Sequence, residues 1–282
     1  MTWLNTSVHS GFARSASEAM FPRLFPDAGW WCPSLNPAMG GTRLWDLSGR
    51  QNWGTLTNMA NDDWVVSGGK GALDFDGAND VVAISGSTIY AANASPFSVS
   101  LFAYVRDFAN VYTKLVMLGS DDNSAWEFGV SSDLAGSYRG ILFGTANAWS
   151  RNRADLTTAV MTSGWHHYAL TYNGNGRGTA GNFSVYFDGV LQTTTGAGSF
   201  SVTTNTSSIS LNASNNRLNG QLDDIRIYNR ALTAGEVRQL WQIGRGNMPL
   251  RRRRRYTEQA AGFRAYWARN NSRLIGAGNV SS

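Results

Sequence analysis

The feature that most constrains this chain is its punctuation. Short segments with a two-residue apolar period recur throughout, and each ends at Gly, Asn or Asp. Phe97, Val99, Leu101, Ala103 and Val105 alternate with Ser98, Ser100, Phe102 and Tyr104. Trp165, His167, Ala169 and Thr171 alternate with His166, Tyr168, Leu170 and Tyr172. Segment 183–188 runs into the turn Asp188-Gly189, and 190–194 returns from it. Segment 71–84 reads as a hairpin, with Leu73 and Phe75 before the turn Asp76-Gly77 and Val82 and Ile84 after it. Shorter candidates lie at 29–32, 114–118, 126–130, 140–143 and 207–211. Roughly a dozen short strands at this spacing describe an antiparallel sandwich or jelly roll rather than βαβ units.

Residues 218–244 read as turn, strand and capped helix. Asn219-Gly220 is a turn dipeptide. Ile225 and Ile227 alternate with Arg226 and Tyr228, whereas Leu222 has the opposite parity. One extra residue near Asp223-Asp224, a β-bulge, reconciles the two. Thr233 and Glu236 have capping-box spacing, and Leu232 and Val237 can form the hydrophobic staple. Val237, Leu240 and Trp241 share a helical face, and Gly244 is placed for a left-handed stop.

Charge is uneven. The chain has 282 residues and a net charge of +5. From Gly244 onward there are nine arginines and one acid, Glu258; residues 1–243 hold 15 basic and 18 acidic residues. The basic character therefore belongs to the tail, on a mildly acidic body. Cys32 is the sole cysteine; it can form no intrachain disulfide and reads as a small buried hydrophobe. Residues 1–19 lack the apolar core of a signal peptide. No window approaches a membrane-spanning length of apolar residues. Synthesis in a cytoplasm is the expectation. The divisions expected are an N-terminal arm (1–27), a β domain (28–244) and a basic, aromatic tail (245–282). The arm reads equally as a partly ordered terminus.

Five pieces in order carry a family resemblance: Leu44-Trp45-Asp46-Leu47-Ser48-Gly49 with Asn52-Trp53-Gly54-Thr55; Leu73-Asp74-Phe75-Asp76-Gly77-Ala78-Asn79-Asp80-Val81-Val82; Trp165-His166-His167-Tyr168-Ala169-Leu170-Thr171-Tyr172; Val185-Tyr186-Phe187-Asp188-Gly189; and 220–232, from Gly220 to Leu232. As a set they resemble the laminin-G-like and pentraxin-like concanavalin A-type jelly rolls. The resemblance implies an all-β, two-sheet antiparallel sandwich over about 28–243. It says little about activity, because members bind glycans, proteins or calcium, or serve as spacers. Basic, aromatic extensions on such domains look like those of bacteriophage virion proteins. That weaker likeness implies a non-enzymatic structural role in a virion, specifically capsid decoration, with capsid or other virion proteins and further copies of the chain as partners. The alternative is a glycan-binding module on a tail appendage or as an accessory domain.

Glycosidases of this fold need paired carboxylates, and no Glu-x-Asp-x-(x)-Glu pattern is present; Glu127 is alone in its strand. Adjacent strand residues face opposite ways, so His166 and His167 do not chelate one ion. Calcium favours oxygen ligands from several loops. The resemblance nominates Asp46, Asp76, Asn79, Asp80, Asp223 and Asp224 for a structural Ca²⁺; alternatively they cap turns and bulges. Trp126, Tyr138 and Trp149, the last beside Asn147 and Asn152, are glycan-platform candidates, with core packing as the alternative. Arg251, Arg252, Arg253, Arg254 and Arg255, with Phe263 and Trp267, are the candidate partner-binding set. An arginine run also gives salt-dependent nucleic-acid affinity, a lesser alternative.

Overall fold

The computed structural model describes residues 24–36, 40–85, 95–106, 113–118, 126–132, 138–144, 152–157, 162, 164–175, 180–193, 208–212 and 217–245. In chain order its strands are β1 (Gly29–Trp31), β2 (Arg43–Leu44), β3 (Gly54–Thr57), β4 (Trp64–Ser67), β5 (Lys70–Asp76), β6 (Val81–Ser85), β7 (Phe97–Val105), β8 (Thr113–Leu118), β9 (Trp126–Ser132), β10 (Tyr138–Gly144), β11 (Asn152–Thr157), β12 (Trp165–Tyr172), β13 (Phe183–Phe187), β14 (Val190–Gln192), β15 (Ser208–Leu211) and β16 (Asn219–Tyr228). Helix α1 (Ala234–Gly244) follows. Pro26–Trp241 form one compact unit, and the two chain ends, Met1–Phe25 and Gln242–Ser282, are grouped as a second. Among the described residues no helix is long and apolar enough to cross a membrane.

The strands form two antiparallel sheets, as the alternation predicts. One has the order β14-β13-β12-β7-β16-β5-β4, with β1 also paired to β16; the other runs β11-β10-β9-β8-β15-β6-β3-β2. Cross-strand partners share a face. Val99 pairs with both Leu170 and Ile227, and Leu101 with Tyr168, so these side chains form one inward layer. Leu44, Val82, Ile84, Phe128, Ile209 and Leu211 are buried from the opposite sheet. Apolar burial of this kind is the main driving force for folding.

The expected hairpin at Asp76-Gly77 is corrected. Strand β5 pairs with β4 and β16 in the first sheet, whereas β6 pairs with β3 and β15 in the second. The turn is an arch between sheets. Leu73 and Phe75 meet Val82 and Ile84 across the core, all at most 1% exposed. Alternation and an Asp-Gly turn are common to hairpin and arch, and only the choice of distant partners separates them.

The bulge is where parity places it. The register of β16 against β7 shifts between Asp223 and Arg226, and Asp224 has φ 51°. Leu222, Ile225 and Ile227 therefore all reach the core. The capping box forms as expected: Thr233 N donates to Glu236 Oε2 at 2.9 Å, and Glu236 N donates to Thr233 Oγ1 at 3.3 Å. The helix end differs from expectation. Gly244 is the last helical residue and has no left-handed φ.

Close strand approach makes Gly220 obligatory. A Cβ at Gly220 would lie 2.1 Å from the Tyr104 carbonyl oxygen. At Gly181 nothing lies within 4 Å of the added carbon. Gly220→Ala should lower unfolding free energy by about 1–3 kcal/mol, and Gly181→Ala should change it by less than about 0.5 kcal/mol. Urea denaturation of both variants measures the contrast.

Candidate functional site

The β2–β3 connection carries an aromatic surface. Arg43 pairs with Thr55 and Leu44 with Gly54. Leu44 points into the core, so Arg43 points out. Continuing that antiparallel count sets Trp45 opposite Trp53, on the outward side with Arg43. The two indole rings lie 5.4 Å apart, tilted by 58°. The Arg43 guanidinium carbon sits 4.7 Å from the Trp53 ring centroid and 5.7 Å from that of Trp45. Both distances fall within cation–π range. Trp53 is 37% exposed, Arg43 is exposed and Trp45 is half-buried. Among the described residues the Arg43 side chain has no ion pair or hydrogen bond.

The connection is held from beneath by Asp46. Its Oδ1 accepts from Trp30 N at 3.1 Å and Ser48 N at 2.9 Å, and its Oδ2 accepts from Asn52 N at 3.0 Å. Asn36 Oδ1 accepts from Trp45 N at 3.0 Å. Asn52 Nδ2 donates to the Ala28 carbonyl at 3.1 Å, and Trp31 Nε1 donates to the Asn52 carbonyl at 2.7 Å. A buried carboxylate thus satisfies three backbone donors in a tight path, as short polar side chains do in turns. This bonding fixes the backbone on both sides of each tryptophan, so a ligand would meet a largely preformed surface.

The six residues nominated for calcium do not compose one site. Asp46 serves the platform. Asp76 Oδ1 accepts from Ala78 N at 2.7 Å and Asn79 N at 3.3 Å, and Asp80 Oδ2 accepts from Asp76 N at 2.9 Å. These three residues shape the arch between sheets. The bond from Ala78 N is the main reason that Asp76 lies below the usual carboxylate range, whereas burial raises Asp80. Asp223 and Asp224 lie on β16 and are engaged there. Among the described residues no group of three or more His, Cys, Asp or Glu side chains is placed to hold a metal. The residues fit turn and bulge capping, the alternative use expected of the same acids.

The bulge carries a buried polar cluster on the outer face of the first sheet. Asp224 Oδ1 accepts from Trp30 Nε1 and Arg226 Nε, each at 2.8 Å, and its Oδ2 accepts from Arg226 Nη2 at 3.1 Å. Asp223 Oδ1 accepts from Ser34 Oγ at 3.1 Å and lies 3.5 Å from Cys32 Sγ. Cys32 is buried as expected, but in polar rather than apolar company. Burial, then the nearby Asp223 carboxylate, pushes its thiol up. Cross-strand from Asp223, Phe102 stacks with His167, and the His167 Nε2 lies 2.9 Å from Ser100 Oγ. Burial drives His167 down to about 3. Burial, reinforced by the Asp224 charge, pushes Asp223 up to about 6. Burial also opposes Asp224 ionisation, but the Arg226 guanidinium outweighs it and holds that carboxyl low.

The remaining candidates are spread out. Glu127 pairs with Lys114 at 3.3 Å, both buried. His166 Nδ1 lies 2.9 Å from Asp188 Oδ2, while His167 faces the other way, as strand alternation requires. Trp126 falls in β9 and Tyr138 in β10. Their side chains lie outside the described residues, as do Trp149, Arg251, Arg252, Arg253, Arg254, Arg255, Phe263 and Trp267. Trp45 and Trp53 stand in the sequence among the residues of the family resemblance. A usable signal was nevertheless present. Arg43 and Trp45, two apart, precede the Ser48-Gly49 turn, and Trp53 and Thr55, two apart, follow it, so all four share one outward parity.

Residues 76–238, more than half the chain, match the model of the concanavalin A-like lectin/glucanases superfamily, a laminin-G type, and the chain belongs to that family. A search of curated proteins finds no match. Among solved structures, that of the HCR/D W1238A mutant aligns with TM-score 0.56 at 11% identity, over 78% of this chain and 52% of its own. Trypanosoma rangeli sialidase aligns with TM-score 0.52 at 18% identity, over 76% of this chain and 32% of its own. Domain 4 of AbnA, a GH43 extracellular arabinanase from Geobacillus stearothermophilus, in complex with arabinotriose, aligns with TM-score 0.53 at 19% identity, over 76% of this chain and 98% of its own. The chain thus spans about half of the first structure and a third of the second. At these identities the shared property is the fold.

The buried cluster makes a signed pH prediction. Asp223 keeps its proton in the folded state up to about pH 6, whereas the unfolded chain releases it near 3.8. Its contribution to stability therefore falls as pH rises between those values and is constant above them. His167 acts in the opposite sense: the unfolded chain holds a proton up to about 6.5 and the folded chain only to about 3, so stability rises with pH across that window. Over roughly pH 4–6 the two slopes oppose each other. Asp223→Asn removes one of them. The stability of this variant relative to the parent should climb across that interval by about 1.4 kcal/mol per pH unit and level off above it. Denaturation midpoints at a series of pH values provide the measurement.

Proposed function

We propose that the chain is a non-enzymatic glycan-binding module and that the Arg43–Trp45–Trp53 surface is its contact site. The observation that carries this reading is an exposed aromatic pair whose backbone is locked from beneath by Asp46. Sugar rings present a C–H face that suits an indole, and aromatic side chains with a few placed polar groups are the usual make-up of ligand sites. The fold supports the reading, since the matched family includes lectins. So does the arabinotriose complex of the AbnA domain, which is itself a single domain of a larger enzyme.

A hydrolytic role is less well supported by the side chains. Glu127 is tied to Lys114, and Asp223 and Asp224 are at most 9% exposed and bonded to Ser34, Trp30 and Arg226. No pair of accessible carboxylates at the spacing of a glycosidase emerges from these groups. Capsid decoration, the role expected from the chain ends, rests on residues outside the described set. Neither the family match nor the aligned structures favour it over a free-standing binding module.

Because Trp53 is exposed, its removal should leave the fold intact. Trp53→Ala should keep the parent melting temperature and weaken binding to an oligosaccharide selected on a glycan array by at least about tenfold, as loss of an aromatic anchor does. A variant that binds as the parent does would refute the platform.

A further inference from the structure

Arg43 is unlike the other well-placed arginines of the body. Arg106 is paired with Asp74, Arg226 with Asp224 and Arg230 with Glu236. The Arg43 guanidinium instead lies against two indole rings, with no carboxylate partner among the described residues. The single acid in the β2–β3 connection, Asp46, is buried and occupied by three backbone N–H groups. Arg50, also exposed and without an acid partner among the described residues, adds a second positive charge to the same connection. The connection thus carries two exposed arginines and no solvent-facing acid, on a body in which acids outnumber bases, 18 to 15 over residues 1–243.

A guanidinium that lies over aromatic rings and has no carboxylate partner keeps N–H groups available, and its planar fork matches a carboxylate or sulfate two bonds at a time. Contact with two rings restricts the Arg43 rotamers, which lowers the ordering cost of engaging an anion. The tryptophans supply the stacking surface for a sugar ring, and Arg43 supplies an anion anchor at its margin.

We propose that this platform selects anionic sugars, in which a carboxylate or sulfate substituent meets Arg43 while the ring contacts Trp45 and Trp53. The proposal rests on the platform being a glycan site and names the class of glycan. The two sources of anionic charge share one chemistry at Arg43 and are separated in the test below.

The experiment uses the full chain and titration calorimetry at physiological ionic strength, which screens loose attraction to the arginine run at 251–255. The probes are three trisaccharides of matched length: a neutral hexose, a hexuronate and a singly sulfated hexose. The parent should bind at least one anionic probe about tenfold or more tightly than the neutral one. Arg43→Gln should bring the affinities of the anionic probes down to that of the neutral probe. Arg43→Lys should restore only part of the preference, because the ammonium lacks the planar fork. Trp53→Ala should weaken binding of all three probes. The relative affinities of hexuronate and sulfated probes in the parent identify the anionic group. Equal parent affinity for neutral and anionic probes overturns the proposal while leaving the platform reading intact. An anionic preference that survives in Arg43→Gln also overturns it and moves the preference to another cationic element. Undiminished binding by Trp53→Ala, or no binding of any probe by the parent, overturns the platform reading itself.

Discussion

Strand β16 has to satisfy two different neighbours along one edge, and the rest of the sandwich depends on how it does so. Its first half pairs with β5 and its second half with β1, while β7 runs along its other side throughout. The change of partner coincides with the bulge at Asp223–Asp224. One extra residue turns Ile225 and Ile227 inward after Leu222 and gives β1 its place. The inserted acids then have to be accommodated on the outer face, where water is largely excluded. Arg226 and the Trp30 indole neutralise and bond Asp224, while Asp223 relies on Ser34 and partial retention of its proton. A buried charge with a partner is tolerable, and one without is not.

Strand β1 links this constraint to the surface. Trp30 donates its indole N–H to Asp224 and its backbone N–H to Asp46. The following residue, Trp31, is fully buried and donates to the Asn52 carbonyl. Through these bonds a short strand seated on the bulge also anchors the connection that presents Arg43, Trp45 and Trp53. The functional reading therefore depends on packing some distance from the exposed rings. Surface aromatics on an unanchored loop would have to be ordered by the ligand; here the ordering is already part of the fold.

The acids most suggestive of chemistry have architectural bonding. Asp46, Asp76 and Asp80 each accept from backbone N–H groups, and the Asp223–Asp224 pair stabilises a bulge. A carboxylate that bonds several backbone donors shapes a turn as effectively as it would bind an ion. Chain position alone cannot separate those two uses. On the β2–β3 connection, by contrast, the solvent-facing charged and aromatic side chains are Arg43, Arg50 and Trp53.

The sequence by itself determined the all-β class, the two-period strands, the bulge near Asp223 and the capping box at Thr233–Glu236. Each is set by residues within a few positions of one another, and local sterics and hydrogen bonding suffice to decide them. Only the tertiary structure decided that Asp76-Gly77 is an arch between sheets, because β5 and β6 find their partners far along the chain in β16 and β15. It also decided that Cys32 sits beside a carboxylate, and that Arg43 lies against Trp45 and Trp53 rather than against an acid. The parity of these three residues was legible, but their proximity was not. It depends on Asp46 and Asn52 bonding to β1, a contact that exists only once the sandwich has closed.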